Sequence, residues 1–188
     1  MIALTRTCSL ADFPDCRSVG DWQQRLVEAA HTRWALASDQ LGGPVLCINW
    51  GASNFRSPGA SEEVRYFEQV GGSSFLDAEF ASAVFALSVL DRIDQPLHFL
   101  REIAYRLDIG GLIVCTFAAW DVEGEDCAGG HDLRCRIYDL TRWRKLIQTA
   151  RSTLGLIPFG GVDLEYRGNT LGDRTLASLV VTKTGGGR

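Results

Sequence analysis

Residues 83–117, AVFALSVLDRIDQPLHFLREIAYRLDIGGLIVCTF, constrain the fold of this chain more than any other stretch. Ala83-Val84-Phe85-Ala86-Leu87 is short and bulky enough for a buried strand. A turn around Asp91-Arg92-Ile93-Asp94 follows, and Pro96 stands where a first helical residue would, with Asp94 as the expected cap. Leu97, Leu100, Ile103, Ala104 and Leu107 recur at helical spacing, with Arg101, Glu102 and Arg106 on the other face. Gly110-Gly111 is read as the helix stop and Leu112 to Phe117 as a second buried strand. Strand, helix and strand make a βαβ unit, and continuous apolar runs imply a parallel sheet covered on both faces.

The rest of the chain fits one α/β domain. Residues 1–17 read as an irregular N-terminal arm, residues 18–182 as the domain and residues 183–188 as a tail flexible by composition. Trp22, Leu26, Ala29, Ala30, Trp34 and Leu36 predict a helix from Val19 to about Gln40, stopped by Gly42-Gly43-Pro44. Val45 to Ile48 and Val64 to Phe67 are predicted strands. Asp139 is placed to cap a helix holding Leu140, Trp143, Leu146, Ile147 and Ala150. Val162 to Tyr166 leads into a strand, and Thr175 to Thr182 closes the sheet as its antiparallel partner.

Composition removes several function classes. A formal charge of -4 gives no sign of a basic nucleic-acid surface, so any such binding would have to be local. No apolar run approaches the roughly 20 residues that span a bilayer, and the N-terminal residues lack a basic segment followed by a long apolar one, so the expected setting is a cytoplasm. The six cysteines have no metal-site rhythm: there is no CxxC, and His31, His98 and His131 are scattered. Cys47 and Cys115 read as small buried hydrophobes. Cys8, Cys16, Cys127 and Cys135 could pair only in an oxidising setting.

The 83–117 stretch resembles the second half of class I S-adenosylmethionine (AdoMet)-dependent methyltransferases of the broad small-molecule group. There a strand reading roughly "FDAVFSSSVLEHV" leads through "DP..ALREIARVLRPGG" into "LVLTF". Matching residues are Ala83-Val84-Phe85, Ser88-Val89-Leu90, Asp94, Pro96, Leu100 to Ala104, Leu107 and Gly110-Gly111. HDLRCRIYDLTRWRKLI likewise resembles the family's "DH.RRYT..EL..LL" before its last helix. The resemblance implies a Rossmann-like class I methyltransferase fold, mostly parallel, with a C-terminal antiparallel hairpin. It also implies shortening between the family's first and fourth strands, because Gly51 to Ser82 leaves too few residues for the usual two strands and two helices.

The same resemblance implies where AdoMet would sit. Val45 to Gly51 aligns with the family's "VLDIGCG", but Cys47 stands at the acid that orients the cofactor's amino end, and a thiol cannot supply that charge. Asn49 replaces the first glycine and tolerates positive φ better than most residues. Trp50 either turns into the core, fills the pocket or offers a stacking platform. Glu68 falls near the ribose-binding position, where a solvated loop glutamate is the plainer reading. Ser82 replaces the aspartate at the start of the fourth strand, and Asp91-Arg92 replaces "EH", keeping an acid and losing a histidine. The implied cofactor residues are therefore Asn49, Gly51, Glu68, Ser82 and Asp91, with AdoMet the cofactor if the protein is active and none otherwise. No catalytic residue is assigned and no metal is expected. His131-Asp132 and the acidic run from Asp121 to Asp132 read first as a solvated loop. Preserved packing positions beside lost polar ones imply a binding or structural component, with a protein partner or a homo-oligomer. An active compact methyltransferase is the alternative.

Overall fold

In the computed structural model β4, Ala81–Leu87, lies at the middle of the fold and is buried along its whole length. The structure describes residues 6–9, 19–37, 45–49, 65–67, 80–93, 95–120, 140–159, 164–167 and 174–185. A single turn of 3₁₀ helix, Leu90–Arg92, leads from β4 into α2, Pro96–Arg106. The long strand β5, Leu107–Trp120, follows. Upstream stand β1 (Arg6–Ser9), α1 (Val19–Ala37), β2 (Val45–Asn49) and β3 (Arg65–Phe67). Downstream come α3 (Leu140–Leu154), β6 (Leu156–Pro158), β7 (Leu164–Arg167) and β8 (Arg174–Lys183).

One sheet joins all eight strands in the order β1-β7-β8-β5-β4-β2-β3, with β6 branching onto β8. The pairs β3–β2, β2–β4, β4–β5 and β1–β7 are parallel, whereas β8 is antiparallel to β5, β6 and β7. This is the mostly parallel α/β sheet with a C-terminal antiparallel hairpin that the sequence predicts. In sequence, one described strand, β3, lies between β2 and β4. The expected shortening falls on residues 50–64 and 68–79, outside the described residues.

Side chains alternate across β4 because a strand repeats every two residues. Ala83, Phe85 and Leu87 join Cys47 and Val114 in a core with Trp22, Leu26, Val27, Ala30 and Trp34 of α1. Val84 and Ala86 turn the other way, toward Phe99, Leu100 and Ile103 of α2 and Trp143, Ile147 and Ala150 of α3. Phe117 and Trp143 meet there with ring centroids 4.4 Å apart, a contact worth about 0.5–1.5 kcal/mol beyond the area it buries. Helices thus cover both faces, as continuous apolar strands require.

Four sequence expectations change. The cap of α2 is Gln95, not Asp94, and the first helical bond runs from the Phe99 amide to the Gln95 carbonyl at 3.0 Å. Gly110-Gly111 does not stop that helix: the helix ends at Arg106 and both glycines lie inside β5. They make an irregularity, since Ala81 pairs with Leu107 but Ala83 already pairs with Leu112. Gly110 takes φ 82°, and a Cβ at Gly111 would sit 2.8 Å from the Ser82 carbonyl oxygen and 2.7 Å from Leu107 Cγ. The arm expected to be irregular supplies β1, which pairs in parallel with β7. The start of the tail is also held, for Lys183 ends β8 and the Thr184 amide and hydroxyl both donate to the Gly155 carbonyl at 2.8 Å.

Two outcomes follow from this packing. Gly111→Ala should lower stability by about 1–3 kcal/mol, because strand backbone lies against the new methyl group; urea unfolding with an unchanged midpoint would contradict the close approach. His31, half-buried on α1 against Trp34 and Phe85, has its pKa lowered from 6.5 by burial. Folding therefore keeps a proton off this ring, so the associated stability is complete above pH 6.5 and is lost as pH falls through the lowered value. His31→Gln should flatten that part of the acid side of a thermal-melting pH series.

Candidate functional site

The parallel strands β2, β4 and β5 end at one edge of the sheet. Asn49 closes β2 opposite Leu87, and Ala86 pairs with Cys115 on β5. The chain leaves β2 toward β3 on one side and later returns through β4 on the other. Such a reversal opens a crevice beyond the carboxyl ends of the strands, where ligands bind on open α/β sheets.

At that edge Ser88 takes φ 55°, the one positive φ of a non-glycine residue among the described residues. Left-handed backbone is costly for a residue with a Cβ and persists where surrounding bonds enforce it. Two side chains do so here. The Ser88 amide donates to Thr116 Oγ1 at 2.9 Å, so a threonine hydroxyl stands where the strand ladder would otherwise supply a carbonyl. The Gln23 amide nitrogen donates to Ser88 Oγ at 2.8 Å and to Thr116 Oγ1 at 2.7 Å. Gln23 and Thr116 are buried, so these bonds are shielded from water. Helix α1, strand β4 and strand β5 are tied together at the mouth of the crevice.

Helix α1 runs opposite to the strands, which places Gln23 there. Its far end is fixed by Trp34 Nε1, donating to the Gly110 carbonyl at 2.8 Å near the start of β5. Trp22, Leu26, Val27, Ala30 and Trp34 form its buried stripe, and Gln23 lies inside that stripe. A polar residue on an otherwise apolar helix face is a signal legible in sequence. Thr116 gives none, because threonine is at home in any strand.

Of the residues implied by the family resemblance, the structure brings two to this edge. Asn49 is the last residue of β2. Asp91 is buried in the 3₁₀ turn just after β4. Ser82 is not with them: it is buried near the amino end of β4, five residues before Leu87, or about 17 Å along the strand. Its carbonyl there faces Gly111 instead. Gly51, Glu68 and Trp50 lie outside the described residues, as do His131 and Asp132.

Cys47, where the family has its acid, is 1% exposed and packs in the apolar core facing α1. Cys115 is equally buried, and burial pushes its thiol up to about 12, which leaves it protonated and unreactive at neutral pH. Both have the small-hydrophobe role predicted for them. His31 lies eight residues beyond Gln23 on α1, about 12 Å along the helix, and His98 is exposed on α2. Among the described residues, no three His, Cys, Asp or Glu side chains gather to hold a metal ion, and no helix is long and apolar enough to cross a membrane.

Solved structures share this architecture. A Burkholderia thailandensis 1,6-didemethyltoxoflavin-N1-methyltransferase, solved with bound 1,6-didemethyltoxoflavin and S-adenosylhomocysteine, matches at TM-score 0.58 and 14% identity, over 93% of this chain and 83% of its own. The S-adenosylhomocysteine-bound N-terminal domain of EvdMO1 matches at TM-score 0.55 and 13% identity, over 89% of this chain and 85% of its own. The [4+2]-cyclase SpnF matches at TM-score 0.54 and 14% identity, over 86% and 81% of the two chains. No protein-family model and no curated protein sequence matches. The chain has a class I methyltransferase-like fold. Identities this low establish the fold and nothing about its chemistry.

The tie at the crevice mouth has a measurable consequence. Gln23→Leu keeps the shape of the helix face but removes the donor shared by Ser88 and Thr116. It should destabilise the protein by about 1–3 kcal/mol, the usual cost of stranding buried polar groups. A denaturation midpoint equal to that of the unsubstituted protein would show that the two hydroxyls do not depend on Gln23.

Proposed function

We infer that this chain is a methyltransferase-fold protein whose AdoMet site has degraded and which acts as a binding or structural component of an assembly. The observation that carries this reading is Cys47, packed in the apolar core at the position where the resembling family orients the cofactor's amino end. A neutral thiol among Trp22, Phe85 and Val114 offers no counter-charge to an ammonium group, and the site's departures at Asn49 and Trp50 point the same way. Shortening between the first and fourth strands of the family pattern would remove cofactor-binding segments as well. The reading sets the protein in a cytoplasm, with protein and not membrane or nucleic acid as its partner.

A second reading has support of its own. Asn49 and Asp91 both lie at the carboxyl edge of the sheet, and two similar structures hold S-adenosylhomocysteine. An active compact methyltransferase would use AdoMet there, with Asn49, Gly51, Glu68 and Asp91 around it. Ser82, at the other end of β4, has no place in that arrangement.

Calorimetric titration separates the two. With AdoMet and with S-adenosylhomocysteine at concentrations up to about 1 mM, no saturable heat is expected, since binding weaker than this amounts to less than about 4 kcal/mol. Micromolar affinity for either compound would sink the degraded-site reading and favour the enzyme.

A further inference from the structure

We propose that the amino edge of the sheet, opposite the crevice, is a homodimer interface in which a second copy of this chain covers an apolar rim. The proposal deepens the assembly reading above by naming the surface and the partner. It rests on where the large exposed hydrophobic side chains fall.

Among the described residues these are Leu36, Phe80, Tyr105, Ile109 and Ile157, between 49% and 86% exposed. They come from five different elements or their flanks, yet the topology gathers them at one end of the molecule. Phe80 immediately precedes β4, whose first residue pairs with Leu107. Tyr105 is in the last turn of α2, and Ile109 lies two residues into β5 from Leu107. Ile157 pairs with Thr182 on β8, and Thr182 in turn pairs with Leu112, the residue of β5 just after the two glycines. Leu36 follows Trp34, whose indole is bonded to the Gly110 carbonyl. Lys183 Nζ donates to the Leu107 carbonyl at 2.7 Å, and Ile109 Cδ1 would touch a Cβ at Gly185, so the end of β8 closes on the same edge. The rim crosses from the α1 layer over the sheet to the α2 layer.

Size and charge favour a second copy as its occupant. The exposed parts of these five side chains amount to on the order of 600 Å², at the upper end of what a monomer shows and near the roughly 800 Å² per partner of a standard interface. The flanking charges have both signs: Arg33, Arg106 and Lys183 stand with Glu102 and Asp108 along the same edge, and Glu102 and Arg106 pair with each other at 2.8 Å. No single-sign field therefore opposes self-association, as it would on a strongly basic or acidic face. An apolar rim is its own complement under a two-fold axis, the commonest symmetry of small oligomers.

Sedimentation velocity on the full chain, from about 1 to 100 µM, tests the proposal. The unsubstituted protein should sediment at twice the chain mass in the upper part of this range. Tyr105→Lys and Ile109→Lys should each weaken the dimer at least tenfold, while Thr141→Lys, exposed at the start of α3 at the opposite end, should leave it unchanged. Far-UV circular dichroism of each variant confirms that it is folded; Tyr105 is an exposed helix position where lysine is well tolerated. A monomer throughout, or a dimer indifferent to both rim substitutions, overturns the proposal. Neither outcome bears on cofactor binding, which the titration decides separately.

Discussion

The burial of β4 on both faces is the constraint from which the rest follows. A strand with no wet side needs a hydrogen-bonded neighbour at each edge and an apolar layer above and below. Here β2 and β5 supply the edges, α1 one layer, and α2 with α3 the other. Because β2, β4 and β5 are parallel, their carboxyl ends are all brought to one place, and the fold acquires a crevice whether or not any chemistry occupies it. The crevice is thus a product of the sheet's architecture and not of the polar residues around it.

The Gly110-Gly111 irregularity shows how tightly the packing is set. The register advances five positions along β5, from Leu107 to Leu112, while β4 advances two, from Ala81 to Ala83. The surplus is absorbed by a left-handed glycine and by a second glycine pressed against the Ser82 carbonyl. Strand and helix share the Leu107 backbone at this point, with its amide bonded to Ile103 at the helix end. The glycine pair is therefore a packing device in the sheet and not a helix stop.

Much of this was legible in the sequence, because apolar periodicity reports burial directly. The alternation and runs at Ala83–Leu87, Leu112–Phe117 and Thr175–Thr182 locate three central strands, and the spacing of Trp22, Leu26, Ala30 and Trp34 locates α1. What escaped reading depends on distant partners. Arg6–Ser9 becomes a strand only because β7 offers it an edge, and nothing in RTCS announces it. Ser82 lies at the amino end of β4, away from Asn49 and Asp91, because a motif alignment gives a position along the chain and not the end of the sheet it reaches. The Gln23–Ser88–Thr116 cluster joins residues far apart in sequence, of which only Gln23, a polar side chain inside an apolar stripe, leaves a trace.

The pairing of β1 with β7 bears on how the molecule assembles. A parallel edge strand finds its ladder only after its partner exists, and the partner of β1 is a hairpin strand near the other end of the chain. The β1–β7 ladder is therefore among the most non-local contacts of the sheet, the kind whose loop closure is entropically costly. Without β1, β7 would be the edge of the sheet and would present a row of unpaired backbone groups, which the pairing covers. Holding the two ends of the chain together at one edge of the sheet, this ladder makes the hairpin an inner part of the sheet and β1 its rim.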